Sequence, residues 1–313
     1  MITCLVADTM HESLFPMLEG LGIQYHYNPE IRRDEIKAML PELDGIIIRS
    51  KTRIDADLLA GSGRLKFVAR AGAGIDNLDE EVLKQRGIEI INAPEGNRNA
   101  VGEQTLGMLL ALMNNLMKAD REVRGFTWDR EGNRGYELAG KTVGIIGYGN
   151  MGMTFARKLS GMECNVLAYD KYKENYADRF CTISGMDRIF EEADVVSLHI
   201  PLTEETNGMV NDVFLDSFVK PVYLLNTARG EIVSLSAVLN GLQTGKLRGA
   251  ALDVLENEKL NTLTREQKET LEALARRDDV LLSPHVGGWT FESYVRINEV
   301  LTAKLAEILP GLS

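Results

Sequence analysis

Four chemically useful side-chain types follow three apolar runs late in the chain. Val222–Leu225 leads into Asn226-Thr-Ala-Arg229-Gly230. Gly249–Leu252 leads into Asp253, with Glu256 and Glu258 close behind. Val280–Leu282 leads into Ser283-Pro-His285. A guanidinium binds a carboxylate through two parallel hydrogen bonds and polarises a neighbouring carbonyl. An imidazole exchanges a proton with a hydroxyl near neutral pH. A carboxylate on the second imidazole nitrogen fixes the tautomer and raises the pKa. On residue type alone either Glu256 or Glu258 fills that last role. Together these groups suit hydride transfer between NAD and a 2-hydroxy acid. Singly each has a plainer reading, as a solvated charge or a packed histidine, so the ordered combination carries the argument. Of the other histidines, His11 and His26 read as surface or packing residues, and His199 ends a strand that could line a cofactor crevice.

A hydride carrier is expected upstream. Thr142-Val-Gly-Ile-Ile is a buried strand that runs into Gly147-x-Gly149-x-x-Gly152 and then a helical pattern. Gly147 allows the tight turn, Gly149 admits a pyrophosphate to the backbone, and Gly152 lets helix and strand pack closely. The helix N-terminus offers free N–H groups to the phosphates. Asp170 ends the next strand, 23 residues beyond Gly147. An acid there accepts from ribose hydroxyls and repels a 2′-phosphate, which favours NAD over NADP. Lys171 and Lys173 flank it and soften that preference.

The elements that must position these groups alternate. Strand-like runs are Thr3–Ala7, Gly45–Ile48, Leu65–Ala69, Thr142–Ile146, Val166–Tyr169, Val195–Ile200, Val222–Leu225, Gly249–Leu252 and Val280–Leu282. Helical periodicity fills the gaps, as in Ile36–Leu40, Val101–Met117, Met151–Gly161 and Leu235–Thr244, and a final helix spans Thr290 to Leu309. Alternation of this kind means parallel α/β sheets. Two such systems are expected. The second begins with a helix from about Asn99, and the chain crosses between them near Pro94–Asn97 and His285–Gly288, where proline and glycine suit a hinge. In such sheets ligands sit at the carboxyl ends of the strands.

The 313 residues have ordinary globular composition. With 46 acidic residues against 35 Lys plus Arg, the net charge of −11 lacks the basic excess of a nucleic-acid binder. Cys4, Cys164 and Cys181 have no metal or disulfide spacing, so no metal is expected and a reduced, cytoplasmic compartment is. The N-terminus reads as a first strand, not a signal peptide. The apolar stretch Ala100–Ala119 contains Glu103, Gln104, Asn114 and Asn115, too polar for a membrane span.

Gly147-Tyr-Gly-Asn-Met-Gly152, Asn226-Thr-Ala-Arg-Gly230, Gly249-Ala-Ala-Leu-Asp-Val254 and Ser283-Pro-His-Val-Gly-Gly288 resemble, in order, the signatures of the D-isomer-specific 2-hydroxyacid dehydrogenase family. The resemblance covers essentially the whole chain. It implies two doubly wound parallel-sheet α/β domains, a Rossmann NAD domain (98–285) inserted into a flavodoxin-like substrate domain (1–97 and 286–313). It implies catalysis by Arg229, Glu258 and His285, with Glu258 chosen because the family acid lies five residues beyond the strand-end Asp. It implies NAD on Gly147, Tyr148, Gly149, Asn150, Met151, Gly152 and Asp170, then on His199, Pro201 and Thr206, and on Thr227, Ala228, Arg229, Asp253, His285 and Gly287.

Ile48-Arg-Ser-Lys-Thr52, Arg70-Ala-Gly-Ala-Gly-Ile-Asp-Asn77 and Asn92-Ala-Pro-Glu-Gly-Asn97 look most like the substrate loops of phosphoglycerate dehydrogenases, a short form without a C-terminal regulatory domain. That likeness implies a phosphorylated 2-hydroxy or 2-keto acid, D-3-phosphoglycerate and 3-phosphohydroxypyruvate, as in the first step of serine biosynthesis. Its ligands would be Arg49, Ser50, Arg70, Gly72, Ala73, Gly74 and Asn97, with Arg98 or Arg130 as further candidates. Because the chain ends at Ser313, serine feedback through such a regulatory domain is not expected. Trp289, beside His285, is expected to reshape the substrate pocket. The alternatives are a glyoxylate/hydroxypyruvate or other 2-keto-acid reductase and, more distantly, an NAD-sensing corepressor-like protein. Relatives imply a homodimer, covered here by the helix Val101–Met117 and the arm through Phe126, Trp128 and Tyr136.

Overall fold

The alternating pattern resolves into two parallel sheets in a computed structural model that describes residues 2–312. Met1 and Ser313, the ends of the expected first domain, lie outside the described residues. Contacts divide the chain into two units, 1–98 with 289–313, and 99–288.

The first unit carries β1 (Ile2–Val6), β2 (Ile23–Tyr27), β3 (Gly45–Ile48), β4 (Phe67–Arg70) and β5 (Glu89–Asn92), in the order β2-β1-β3-β4-β5. This is the flavodoxin-like order, with its switch point between β1 and β3. Alternate side chains feed opposite faces, as the pleat requires. Leu5, Ile46, Ile48 and Val68 join one core, and Val6, Ile47, Phe67 and Ala69 the other. The helix Phe291–Leu312 returns to this second face through Ile297, Leu301 and Leu305, spaced four apart on one side. Both faces are covered, so the strands read as near-continuous apolar runs.

The second unit carries β6 (Thr142–Ile146), β7 (Asn165–Tyr169), β8 (Thr182–Ile183), β9 (Val195–Leu198), β10 (Val222–Asn226), β11 (Leu247–Leu252) and β12 (Val280–Leu282). Their order, β12-β11-β10-β9-β6-β7-β8, reverses at β6 and β9, the Rossmann crevice. Register pairs Asn226 with Leu252 and Leu252 with Leu282, so three strand ends lie level.

Several expectations need correction. Strands β2, β5 and β8 are absent from the sequence reading. They are edge strands with exposed positions, which leaves them without a continuous apolar run. The expected crossing at Pro94–Asn97 is no loop. These residues form the first turn of the helix Pro94–Met113, where proline costs little because its missing N–H would be unpaired anyway. The helix expected over Val101–Met117 breaks after Met113 and resumes as Leu116–Arg124, because Asn115 adopts a left-handed conformation with φ 53°. Its Met108, Leu109, Leu112 and Met113 pack inside their own unit, leaving only the arm beyond them exposed. Among the described residues, no helix is long and apolar enough to cross a membrane.

Candidate active site

The glycine turn is built on contact distances. Gly147 follows β6 with φ 90°, and a Cβ there would stand 2.4 Å from the His199 carbonyl oxygen at the end of β9. A Cβ on Gly152 would stand 2.1 Å from the Gly147 carbonyl oxygen. Gly149, which caps the helix Asn150–Leu159, has no neighbouring atom within 4 Å of its Cβ position. Two of these glycines are therefore required by the protein, whereas the third faces open space beside a helix N-terminus, where a pyrophosphate fits. The backbone N–H groups of Asn150 and Met151 belong to that first turn.

Asp170, just past β7, is fixed by two backbone donors. Its Oδ2 accepts from the Tyr148 N–H at 2.9 Å and its Oδ1 from the Tyr172 N–H at 3.0 Å. Each oxygen keeps a lone pair for a ribose hydroxyl. The flanking lysines are occupied: Lys171 pairs with Glu205, and Lys173 Nζ donates to the Tyr148 carbonyl at 2.8 Å. Tyr148 is fully buried, its hydroxyl donating to Asp178 at 3.0 Å and its N–H and carbonyl already bonded to Asp170 and Lys173, so it supports the turn from behind and offers no free group to a ligand, contrary to its expected place among the NAD contacts. His199 bonds Ser197 Oγ through Nε2 at 2.8 Å, and burial pushes its pKa down to about 3, which keeps the ring neutral. Thr206 Oγ1 donates to the Pro201 carbonyl at 2.7 Å and shapes the turn after β9.

The reactive cluster stands on the level ends of β10, β11 and β12. Asn226 is buried; its Oδ1 accepts from the Ala228 N–H at 3.0 Å and its Nδ2 donates to the Arg229 carbonyl at 2.8 Å, which fixes the turn carrying Arg229. Thr227 Oγ1 lies 3.0 Å from Thr105 Oγ1, whose own proton goes to the Val101 carbonyl, so Thr227 is the donor. His285 Nδ1 lies 2.8 and 3.0 Å from the two Glu258 carboxylate oxygens. Glu256 does something else: its Oε2 accepts from the Leu235 N–H at 3.0 Å, capping the helix Leu235–Thr244. The geometry thus separates the two glutamates that residue type left open. The hydrogen bond that His285 donates to Glu258 raises the His285 pKa, partial burial opposes this, and the Arg229 charge also lowers it. Arg229, on the neighbouring strand end, is thus near enough for its charge to act on the imidazole that Glu258 holds.

Asp253 has a role that residue type alone does not reveal. Only 2% exposed, it accepts from Ser283 Oγ at 2.5 Å, the Val286 N–H at 3.0 Å and the Gly287 N–H at 2.8 Å. Those three donors bracket His285, which itself adopts φ 55°, a costly conformation for a residue with a Cβ. Asp253 therefore clamps the turn that aims the imidazole. Its position past an apolar run and its place in the family signature marked Asp253, but neither revealed this clamp.

In the first unit, Arg70 ends β4 and its guanidinium lies over Gly72: a Cβ there would stand 1.8 Å from Nη1. Gly72 has φ 149°, and the loop is fixed by Asn92 Nδ2 donating to the Ala73 carbonyl at 2.7 Å. Gly74 lies in the same loop, Ser50 is exposed, and Asn97 Oδ1 is buried with no hydrogen-bond partner among the described residues. Arg98 adds its charge beside Glu95, and Arg130 is exposed in the second unit. Asp8, missed in the sequence, ends β1 and accepts from the Arg49 N–H at 2.6 Å and from Thr52 Oγ1 at 2.7 Å. Asn77 Nδ2 donates to the Arg49 and Thr52 carbonyls at 2.9 and 2.6 Å, closing that loop from the other side. Trp289 packs on Arg49, within this same unit.

Comparison with known proteins agrees with this geometry. Residues 106–287 match the model of the D-isomer specific 2-hydroxyacid dehydrogenase NAD binding domain. The chain is 31% identical over 310 residues to a D-3-phosphoglycerate dehydrogenase of Archaeoglobus fulgidus, covering 98% of this chain but 57% of that protein. It is 34% identical to a hydroxypyruvate reductase of Thermotoga maritima, covering 88% of each. Among solved structures, a D-lactate dehydrogenase from Aquifex aeolicus complexed with NAD and lactic acid superposes with a TM-score of 0.83 at 27% identity, covering 99% of this chain and 96% of that one.

Proposed function

The chain belongs to the D-isomer-specific 2-hydroxyacid dehydrogenase family and is an NAD-dependent oxidoreductase; within that class we propose that it interconverts D-3-phosphoglycerate and 3-phosphohydroxypyruvate. The Gly147–Gly152 turn would hold NAD, which when bound would supply the redox chemistry, taking the C2 hydride in oxidation and returning it in reduction. His285 Nε2 takes the C2 hydroxyl proton in oxidation and returns it in reduction, because Nδ1 is occupied by Glu258. Glu258 holds the ring and favours its charged form. Arg229 binds the carboxylate at C1 and the oxygen at C2, where negative charge builds as the carbonyl is reduced. Asp253 keeps His285 aimed. In the first unit, Arg70 and the Gly72–Gly74 loop serve anion binding, with Ser50 and Asn97 as further ligands.

One observation carries the choice of a phosphorylated substrate: Arg49 stands at the β1/β3 switch point with no ion pair among the described residues. The test is NADH oxidation with 3-phosphohydroxypyruvate, hydroxypyruvate, glyoxylate and pyruvate. The phosphorylated acid is expected to give the highest kcat/KM. A clear preference for hydroxypyruvate refutes this choice and favours the second reading, a hydroxypyruvate reductase, which the 34% identity to the Thermotoga relative supports. A chain with no turnover on any 2-keto acid would be an NAD-sensing binding protein instead.

A homodimer is part of the same proposal. The helix Leu116–Arg124 has no buried residue, Phe126 is 99% exposed and Trp128 80% exposed, with Leu116, Met117, Val123 and Tyr136 also exposed nearby in sequence. So much apolar side chain left in water calls for a cover, and a second copy supplies one. Light scattering should give a dimer, and Phe126→Ser with Trp128→Ser should weaken it; a monomeric parent chain refutes the idea.

A further inference from the structure

Arg49 leaves β3 at the first unit's switch point, where open α/β sheets bind their ligands. Its backbone is fixed on both sides by Asp8 and Asn77. Its guanidinium carbon lies 4.6 Å from the centre of the Trp289 indole and 4.5 Å from the centre of the Tyr294 ring. Those rings stand 5.1 Å apart at 82°, so the cation sits in the corner they make. One guanidinium nitrogen, Nη1, donates to the Tyr294 hydroxyl. The other two, Nε and Nη2, make no hydrogen bond among the described residues.

This is an unusual way to hold a half-buried arginine. A carboxylate partner would fix the side chain and cancel its charge, whereas aromatic faces fix it and leave the charge whole. A cavity of about 10 Å³ beside it, lined by His11, Tyr294 and Asn298, has room for a single water and not for a phosphate or carboxylate. An anion must therefore meet the exposed edge of the guanidinium. Trp289 is 58% exposed, and its contacts with Arg49 and Tyr294 give that indole a purpose.

We propose that Trp289 and Tyr294 determine substrate choice by gripping Arg49, so that the enzyme selects 2-keto acids carrying a second anionic group at the far end from C1. The inference rests on the reading of Arg49 as a substrate ligand. Trp289 and Tyr294 act through Arg49 and are positioning residues.

The test compares the full-length parent with Trp289→Ala, Trp289→Phe and Tyr294→Phe, using NADH with 3-phosphohydroxypyruvate, oxaloacetate, pyruvate and glyoxylate. The first two acids carry a distal phosphate and a distal carboxylate; the others carry neither. The kcat/KM ratio of tailed over tail-less acids should fall about 3- to 10-fold in Trp289→Ala, through KM, and Trp289→Phe should recover most of it. Tyr294→Phe should lower the ratio in the same sense. NADH affinity, measured by fluorescence, reports that each variant is folded. An unchanged ratio in Trp289→Ala, or equal losses on all four acids, overturns the proposal. A parent that favours oxaloacetate over the phosphorylated acid refutes the phosphoglycerate assignment yet supports selection for a second anion. A parent active on tailed and tail-less acids alike overturns the selection while leaving a 2-keto-acid reductase. A parent inactive on all four overturns both.

Discussion

Replacing Glu258 with glutamine tests the pairing on which proton transfer depends. In the structure the carboxylate oxygens lie 2.8 and 3.0 Å from His285 Nδ1, and this contact is the leading cause that raises the imidazole pKa. A hydrogen bond to a charged group is worth ~1.5–3 kcal/mol. Here the side chains are 47% and 46% exposed, so solvent screening reduces that to about 1 kcal/mol. The pKa of His285 should therefore drop in Glu258→Gln. The amide oxygen still accepts from Nδ1–H, so the tautomer and the aim are kept. Reduction needs His285 protonated, so its kcat/KM fades as pH rises through the His285 pKa; oxidation needs it neutral and grows over the same range. Both limbs should therefore move to lower pH in the variant. Initial rates with limiting keto acid, and separately with limiting hydroxy acid, from about pH 5.5 to 9.5 measure the shift. A limb that stays in place, or moves to higher pH, refutes the assignment of His285 as the titrating group paired with Glu258.

His285→Gln should lower turnover by about 10²–10⁴ while NADH affinity changes less than about threefold; near-parental turnover removes His285 from the chemistry. Gly149→Ala and Gly152→Ala should separate ligand space from packing space. The Gly149 methyl meets no protein atom, so thermal stability should hold while NADH affinity falls more than about tenfold, whereas the Gly152 methyl meets the Gly147 carbonyl at 2.1 Å and should lower stability itself by about 1–3 kcal/mol. Equal melting temperatures for both variants contradict this division. Asp170→Ala should raise the NADPH-to-NADH ratio of kcat/KM at least about tenfold by removing the carboxylate that repels a 2′-phosphate; an unchanged ratio argues that Asp170 does not meet the ribose.

Much of the architecture was legible because each central strand is an apolar run covered on both faces. Val143, Ile145 and Val196, for example, are all fully buried. The glycine turn was legible for a different reason: at Gly147 and Gly152 no other side chain fits, so the spacing survives as letters. The edges were not legible. Ile23–Tyr27 pairs only with β1 and exposes Gln24, His26 and Tyr27, which breaks the alternation that would announce it. The break at Asn115 was hidden because the apolar spacing continues past it through Leu116 and Met117. In the site, Arg229, Asp253 and His285 could be found from strand ends alone. The choice of Glu258 over Glu256 could not, since only folding brings Glu256 to a helix N-terminus and leaves Glu258 for the histidine. Arg49, read as a loop arginine, gained its partners from residues more than two hundred positions away, a separation that no local pattern spans.

The site's accuracy comes from sheet register more than from its loops. Asp253 N–H donates to the Asn226 carbonyl at 2.9 Å, Ser283 N–H to the Leu252 carbonyl at 3.0 Å, and His285 N–H to the Asp253 carbonyl at 2.7 Å. The three strand ends are thus tied sideways to one another close to where the loops carrying the reactive side chains leave the sheet. A slip of one residue in β12 would turn Leu282 to the other face and carry His285 away from Glu258. The left-handed backbone at His285 is sustained because Asp253 supplies three acceptor contacts around it, and a buried carboxylate can do this only where the β11 and β12 ends are level. Packing beneath the site, where Ala250 and Ala251 are fully buried in the sheet, helps to hold those strand ends level and so supports the aim of the imidazole.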